Sequence, residues 1–124
     1  MAEILSQEEI DALLGAVALG DIGSHFPPDE PQYRDISSLT LLERVRDKLR
    51  ENGWQVDNID ATIVAEKPEL KEFIDGMRKQ LSQALGIAPG QVNVKASTSE
   101  GLGFVGRGEG IAAHAVALIE SIPG

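Results

Sequence analysis

The sequence predicts an α/β (α+β) fold, a single sheet flanked by helices, and three observations carry that prediction. Two segments alternate apolar and polar residues, Ile59 to Glu66 and Val92 to Ala96, as a strand with one buried face does. Stretches with apolar residues at helical spacing stand before, between and after them, and strands separated by helices favour a layered arrangement. At 124 residues and 42% hydrophobic content, the chain is long enough for one core and short for two.

Taken in order, the first element is written by SQEEIDALLGA. Ser6 and Glu9 stand at capping-box spacing, Leu5 and Ile10 at staple positions, and Ile10, Leu13, Leu14 and Val17 continue one apolar stripe. Such a helix either packs on the chain's own core or detaches to dock its stripe in a partner's groove. Gly20 is a plausible terminator, and the stretch from Asp21 to Pro28 reads as a loop. FPPDEPQYRDIS follows, proline-rich, acidic and extended. Leu42, Val45 and Leu49 share one face of a surface helix closed by Gly53. The first strand, ended at Pro68, gives way to a long amphipathic helix through Leu70, Phe73, Ile74, Met77, Leu81 and Leu85 that stops at Gly86. After the second strand, Ile111 to Ile122 is apolar on most sides and reads as a buried final helix. Two strands make a thin sheet.

Composition removes several classes of function. Eleven basic against twenty acidic residues give a formal charge of −9 with no basic cluster, so a nucleic-acid partner is not expected. The absence of cysteine rules out disulfides, thiolate metal sites and thiol catalysis, and suits a cytoplasmic home. No apolar run is long enough for a membrane span. His25 and His114 stand far apart without partners at metal-pair spacing, so each reads as a packing or surface histidine.

Gly101 to Gly106 matches G-x-G-x-x-G, but the polar KASTSE separates it from the strand and no second strand is expected after it, so a dinucleotide fold is rejected. A Walker loop is absent. KASTSE followed by GLGFVGRGEG and a helix starting near Gly110 supplies hydroxyls, closely approachable amides and a helix N-terminus, the parts of an anion cradle. Tight turns with locally capping hydroxyls account for the same residues, and spacing alone does not separate the two.

VNVKASTSEGLGFVGRGEGIAAHAVALI resembles the C-terminal signature of the 2-C-methyl-D-erythritol 2,4-cyclodiphosphate synthase family. DALLGAVALGDIGSHFPP, VDNIDATIVAEKP and MRKQLSQALGI extend the resemblance over residues 11 to 124. It implies a homotrimer with inward-facing sheets and active sites between subunits, binding a cytidine diphosphate-type substrate. The reaction it implies closes a cyclic diphosphate and expels CMP, with zinc and magnesium or manganese neutralising the crowded phosphates. Carried over residue by residue, Asp21, Gly23 and Phe26 match the erythritol-phosphate side, and Ala65 and Pro68 the cytosine pocket. Ser97, Thr98 and Glu100 match the diphosphate and second-metal side, the catalytic group, while Arg107 and Glu109 match residues near the threefold axis. Serines replace threonines usual in this stretch, which keeps the hydroxyls, and Glu69 stands where a lysine is usual.

The resemblance also implies an N-terminal segment that is missing: a strand with an Asp-x-His pair, a His-Ser-Asp loop, and a histidine one helical turn before DALLGA. Gln7 holds that last position, and a neutral amide is a poor zinc ligand, so no metal ligand is assigned and no zinc is expected on this chain. MAEILSQEEIDALL resembles instead the N-terminal peptide of the flagellar motor switch protein, which captures a chemotaxis response regulator. The reading is therefore divided, with residues 1–14 a switch-peptide-like helix start and 15–124 a truncated synthase domain. Three functions follow: a synthase homologue inactive alone for want of metal ligands, a nucleotide-diphosphate-binding remnant, or a module presenting residues 1–16 to a response regulator.

Overall fold

Val56, Ile59, Ala61 and Ile63 are buried while their neighbours face outward, and this alternation builds the central strand β1 (Trp54–Val64). In the computed structural model, which describes all residues but Met1, Pro28, 34–35, 67–69, Ser99, 109–110 and Gly124, and only the backbone of residues 2–4, the sheet has three strands. β2 (Val92–Ser97) pairs parallel to β1, from Ile59 opposite Val92 to Val64 opposite Ser97. On the other side β3 (Ala112–Ser121) pairs antiparallel, from Trp54 opposite Ser121 to Val64 opposite Ala112, with an irregularity between Val56 and Asn58. The sheet order is β2-β1-β3.

β3 corrects the expected final helix. Alanine is the best helix former and the segment is apolar on most sides, so composition points to a helix. Its true period is two: Ala113, Ala115, Ala117 and Ile119 pack on the core, whereas His114, Val116, Leu118 and Glu120 lie on the opposite, open face. Val116 and Leu118 make the middle of the outward face apolar too, which hid the alternation. The small inward side chains let a helix lie close over this strand.

That helix is α1 (Ala2–Ala16), which packs on β3 and on α3 (Ser38–Glu51); α4 (Ile74–Leu85) adjoins α3 and covers β2. Three helices thus lie on one face of the sheet. Leu5, Ile10, Leu13 and Leu14 are fully buried, so of the two readings of the stripe the structure has it packed on the chain's own core. The expected capping box is absent because the helix begins at Ala2: Ser6 and Glu9 lie within it, both fully buried. Among the described residues neither Glu9 carboxylate oxygen has a hydrogen-bond partner, and burial pushes its pKa up to about 8.

The stretch after Gly20 is less loop-like than expected. Asp21 caps a short helix α2 (Ile22–His25), its Oδ1 accepting from the Ser24 amide at 2.9 Å and hydroxyl at 2.7 Å. α3 opens on Ser37, whose hydroxyl accepts from Leu39 N at 3.2 Å, and α4 closes on Gly86 at φ +69°. A Cβ at Gly86 would sit 3.1 Å from Arg50 Nη2 in a conformation L side chains avoid. Gly86→Ala is expected to lower stability by about 1–2 kcal/mol, read as a lower urea midpoint at unchanged slope; an unmoved midpoint would show the cap to be dispensable. Among the described residues no helix is long and apolar enough to cross a membrane.

Candidate functional site

β1 and β2 run parallel and end side by side, and the chain beyond each end is freed to line a cleft, as in open sheets where parallel strands place ligands beyond their carboxyl ends. A cavity of about 390 Å³ lies there. Ala65 and Glu66 line it from beyond β1, Ala96, Ser97 and Thr98 from the end of β2, and Leu70, Lys71 and Ile74 from the approach to α4. The strand ends are tied by Ala65 N donating to Ser97 O at 3.0 Å. Among the described residues the lining is mostly apolar, with two hydroxyls, the Lys71 ammonium and the Glu66 carboxylate, and α4 begins at its rim, bringing the positive end of its dipole to that side.

Of the residues singled out in the sequence, Ala65, Ser97 and Thr98 converge on this cavity. Pro68, Glu69 and Glu109 lie outside the described residues. Glu100 follows in the loop at φ +55°, its amide donating to Thr98 Oγ1 at 3.2 Å. The loop continues into a single helical turn, α5 (Gly103–Gly106), which buries Val105 and is capped by the exposed Arg107. No helix starts near Gly110, because β3 follows instead, so that part of the expected anion cradle is corrected: the helix start near the Ser97 and Thr98 hydroxyls belongs to α4. Glu66, Lys71 and Ile74 were missed by the sequence reading. The signal was present in the parallel strand–helix–strand order, which places residues just past the first strand beside those just past the second.

Asp21, Gly23 and Phe26 are gathered elsewhere, on and after α2. Hydrogen bonds from Ser24 hold the Asp21 carboxyl below its ordinary range. Phe26 is buried, edge-on to Tyr33 at 5.2 Å with Lys48 Nζ 5.9 Å above its ring, and it borders a second, shallower depression with Tyr33, Arg44, Asp47, Lys48 and Glu51.

Among the described residues no group of three or more His, Cys, Asp or Glu side chains could hold a metal ion. Gln7 donates through Nε2 to Ser38 Oγ at 3.1 Å, and Asp11 Oδ1 accepts from Ile22 N at 2.8 Å. His25 turns to the Leu19 carbonyl, while His114 lies on the open sheet face. This donor set does not fit a zinc centre.

A protein-family model described as the YgbB family matches residues 2–120. The chain belongs to the YgbB family. The matched span takes in the whole of α1, including the residues before position 11, and α1 is unbroken across position 14. Among curated relatives, 2-C-methyl-D-erythritol 2,4-cyclodiphosphate synthase of Dehalococcoides mccartyi strain CBDB1 is 57% identical over 119 residues, covering 96% of this chain and 76% of that protein. Among solved structures, the bifunctional IspDF from Campylobacter jejuni superposes with a TM-score of 0.87 at 37% identity, covering 98% of this chain and 32% of that one. The Plasmodium falciparum IspF CDP complex gives 0.85 at 27% identity, covering 97% and 72%. This YgbB-family chain is thus a homologue of the cyclodiphosphate synthases and shares their fold.

Proposed function

We propose that this chain is a cyclodiphosphate-synthase subunit that holds a cytidine diphosphate-type ligand in the cavity beyond β1 and β2 and, by itself, does not close the cyclic diphosphate. The observation that carries this reading is the convergence of Ala65, Ser97 and Thr98, singled out by the resemblance, on one cavity of about 390 Å³. Apolar Ala65, Leu70, Ile74 and Ala96 offer a nucleobase a surface to lie on. The Ser97 and Thr98 hydroxyls, the Lys71 ammonium and the dipole of α4 suit the phosphates. A related structure solved with CDP supports the ligand class.

The proposed lack of turnover follows from the donor set. Gln7 occupies the helical position at which the resemblance implies an imidazole, and Ser38 engages its amide. Divalent ions in the family's chemistry neutralise the phosphates and activate the one attacked; this chain's residues bind and orient without supplying that charge. Assembly is proposed through the open sheet face, where Val116 and Leu118 are 71% and 55% exposed side by side on one strand. Three copies meeting there would bury it.

Calorimetry with CDP tests the ligand, and a CMP-release assay with zinc and magnesium tests turnover. Micromolar to submillimolar CDP binding without CMP release is the expected result. No heat at millimolar CDP overturns the ligand reading, and robust CMP release overturns the inactivity.

A further inference from the structure

Resting on that nucleotide reading, we infer that Glu66 is a positioning residue, whose carboxylate latches the loop after β2 to the end of β1 and so holds the Thr98 wall of the cavity in place. Glu66 lines the cavity and reaches across 35 residues of sequence, its Oε1 accepting from Gly101 N at 3.1 Å. Gly101 is also pinned from behind: a Cβ at Gly106 would lie 2.1 Å from its carbonyl carbon and 2.7 Å from its Cα, so α5 packs directly on the Gly101 backbone. Glu100, the residue before Gly101, is tied back to Thr98, its amide donating to Thr98 Oγ1 at 3.2 Å. Whatever fixes Gly101 therefore fixes Thr98.

Geometry favours a latch over a competitor for the ligand's phosphate. A carboxylate beside the cavity repels an anion, yet this one is turned to a backbone N–H and faces a lining that also contains Lys71. The loop is also joined to the ends of the sheet by the Ala65–Ser97 backbone bond before it and by burial of Val105 after it. The packing of α5 backs Gly101 from one side, and the Glu66 carboxylate holds its amide from the cavity side.

The test compares wild type, Glu66→Ala and Glu66→Gln, using CDP calorimetry and hydrogen exchange of the Gly101 amide by NMR. Glutamine keeps the acceptor oxygen and loses the charge. Wild type and Glu66→Gln are expected to protect Gly101 and to bind CDP within about threefold of each other, whereas Glu66→Ala exchanges Gly101 and binds CDP roughly tenfold more weakly, the loss of one charge-assisted hydrogen bond. Unchanged exchange in Glu66→Ala overturns the latch, as does tighter CDP binding, which would make the carboxylate a competitor. Should wild type fail to bind CDP, the nucleotide reading falls while Gly101 exchange still decides the latch. Glu66 lies on the cavity wall and outside the core, so both variants are expected to fold.

Discussion

Glu9→Leu is expected to stabilise the chain by roughly 3–5 kcal/mol at pH 7, most of it absent at pH 4. Glu9 is fully buried, both oxygens are unpartnered, and its pKa is raised from 4.5 to about 8. Between those values the unfolded chain has released the proton and the folded chain still holds it. The folded state thus binds more protons, and stability falls as pH rises from 4.5 to about 8, then levels off. The full span amounts to something on the order of 5 kcal/mol. Asp21 and Asp60 act with the opposite sign in a separate window: their folded pKa values are lowered, chiefly by hydrogen bonds from Ser24 and Lys95, so what they contribute is lost only as pH falls below 3.8. Both are solvent-exposed, and Glu9 dominates above pH 4.5.

Urea unfolding at pH 5, 7 and 8.5 checks this. Wild type should lose midpoint steadily over the series, Glu9→Gln should be nearly flat, and Glu9→Leu flat and higher, since leucine leaves no buried polar atom without a partner. A wild-type midpoint that does not move between pH 5 and 8 would mean the carboxyl has found a partner or reached solvent. Because Glu9 sits in α1 among Leu5, Ile10, Leu13 and Leu14, the loss should show first as exchange of α1 amides.

Gly106→Ala is expected to abolish CDP binding within the measurable range while leaving the sheet folded. A Cβ there meets the Gly101 carbonyl carbon at 2.1 Å and its oxygen at 2.5 Å, both backbone atoms that no rotamer change can move aside. The loop must open, at a cost of roughly 2–3 kcal/mol in local stability, and Thr98 leaves the cavity wall with it. Gly76→Ala is the matching control: a Cβ at that exposed helical position meets nothing within 4 Å, so it should bind CDP normally and gain up to about 1 kcal/mol. Normal CDP binding by Gly106→Ala would sever the loop from the site.

Much of the fold is legible in the sequence because its helices α3 and α4 and strands β1 and β2 each carry a clean period. Leu42, Val45 and Leu49 lie on one helical face and Ile59, Ala61 and Ile63 on one strand face, and all six are buried. α1 was legible as an apolar stripe and wrongly bounded, since Ser6 and Glu9 have capping chemistry in any context and only the depth of packing shows them inside the helix. β3 was misread for a related reason. A run of alanines and aliphatics with only His114 and Glu120 to mark its outward phase betrays its period weakly, and pairing with β1 over ten residues, a contact distant in sequence, makes it a strand. The candidate site divides the same way: Ala65, Ser97 and Thr98 were identified by resemblance, whereas Glu66 and Lys71 needed the parallel register of β1 and β2 to bring them alongside.

The sequence by itself determined the two-period alternation of β1 and β2, the helical stripes and the YgbB-family signature, because these depend on spacing between near neighbours. The tertiary structure alone decided that the last segment is a strand, that α1 spends its stripe on its own sheet with an ionisable group trapped beneath it, and that the Gly101 loop is fastened to the cavity by Glu66. Each of those depends on which remote surface a segment meets, and burial and pairing across long separations override local preference wherever the local signal is ambiguous.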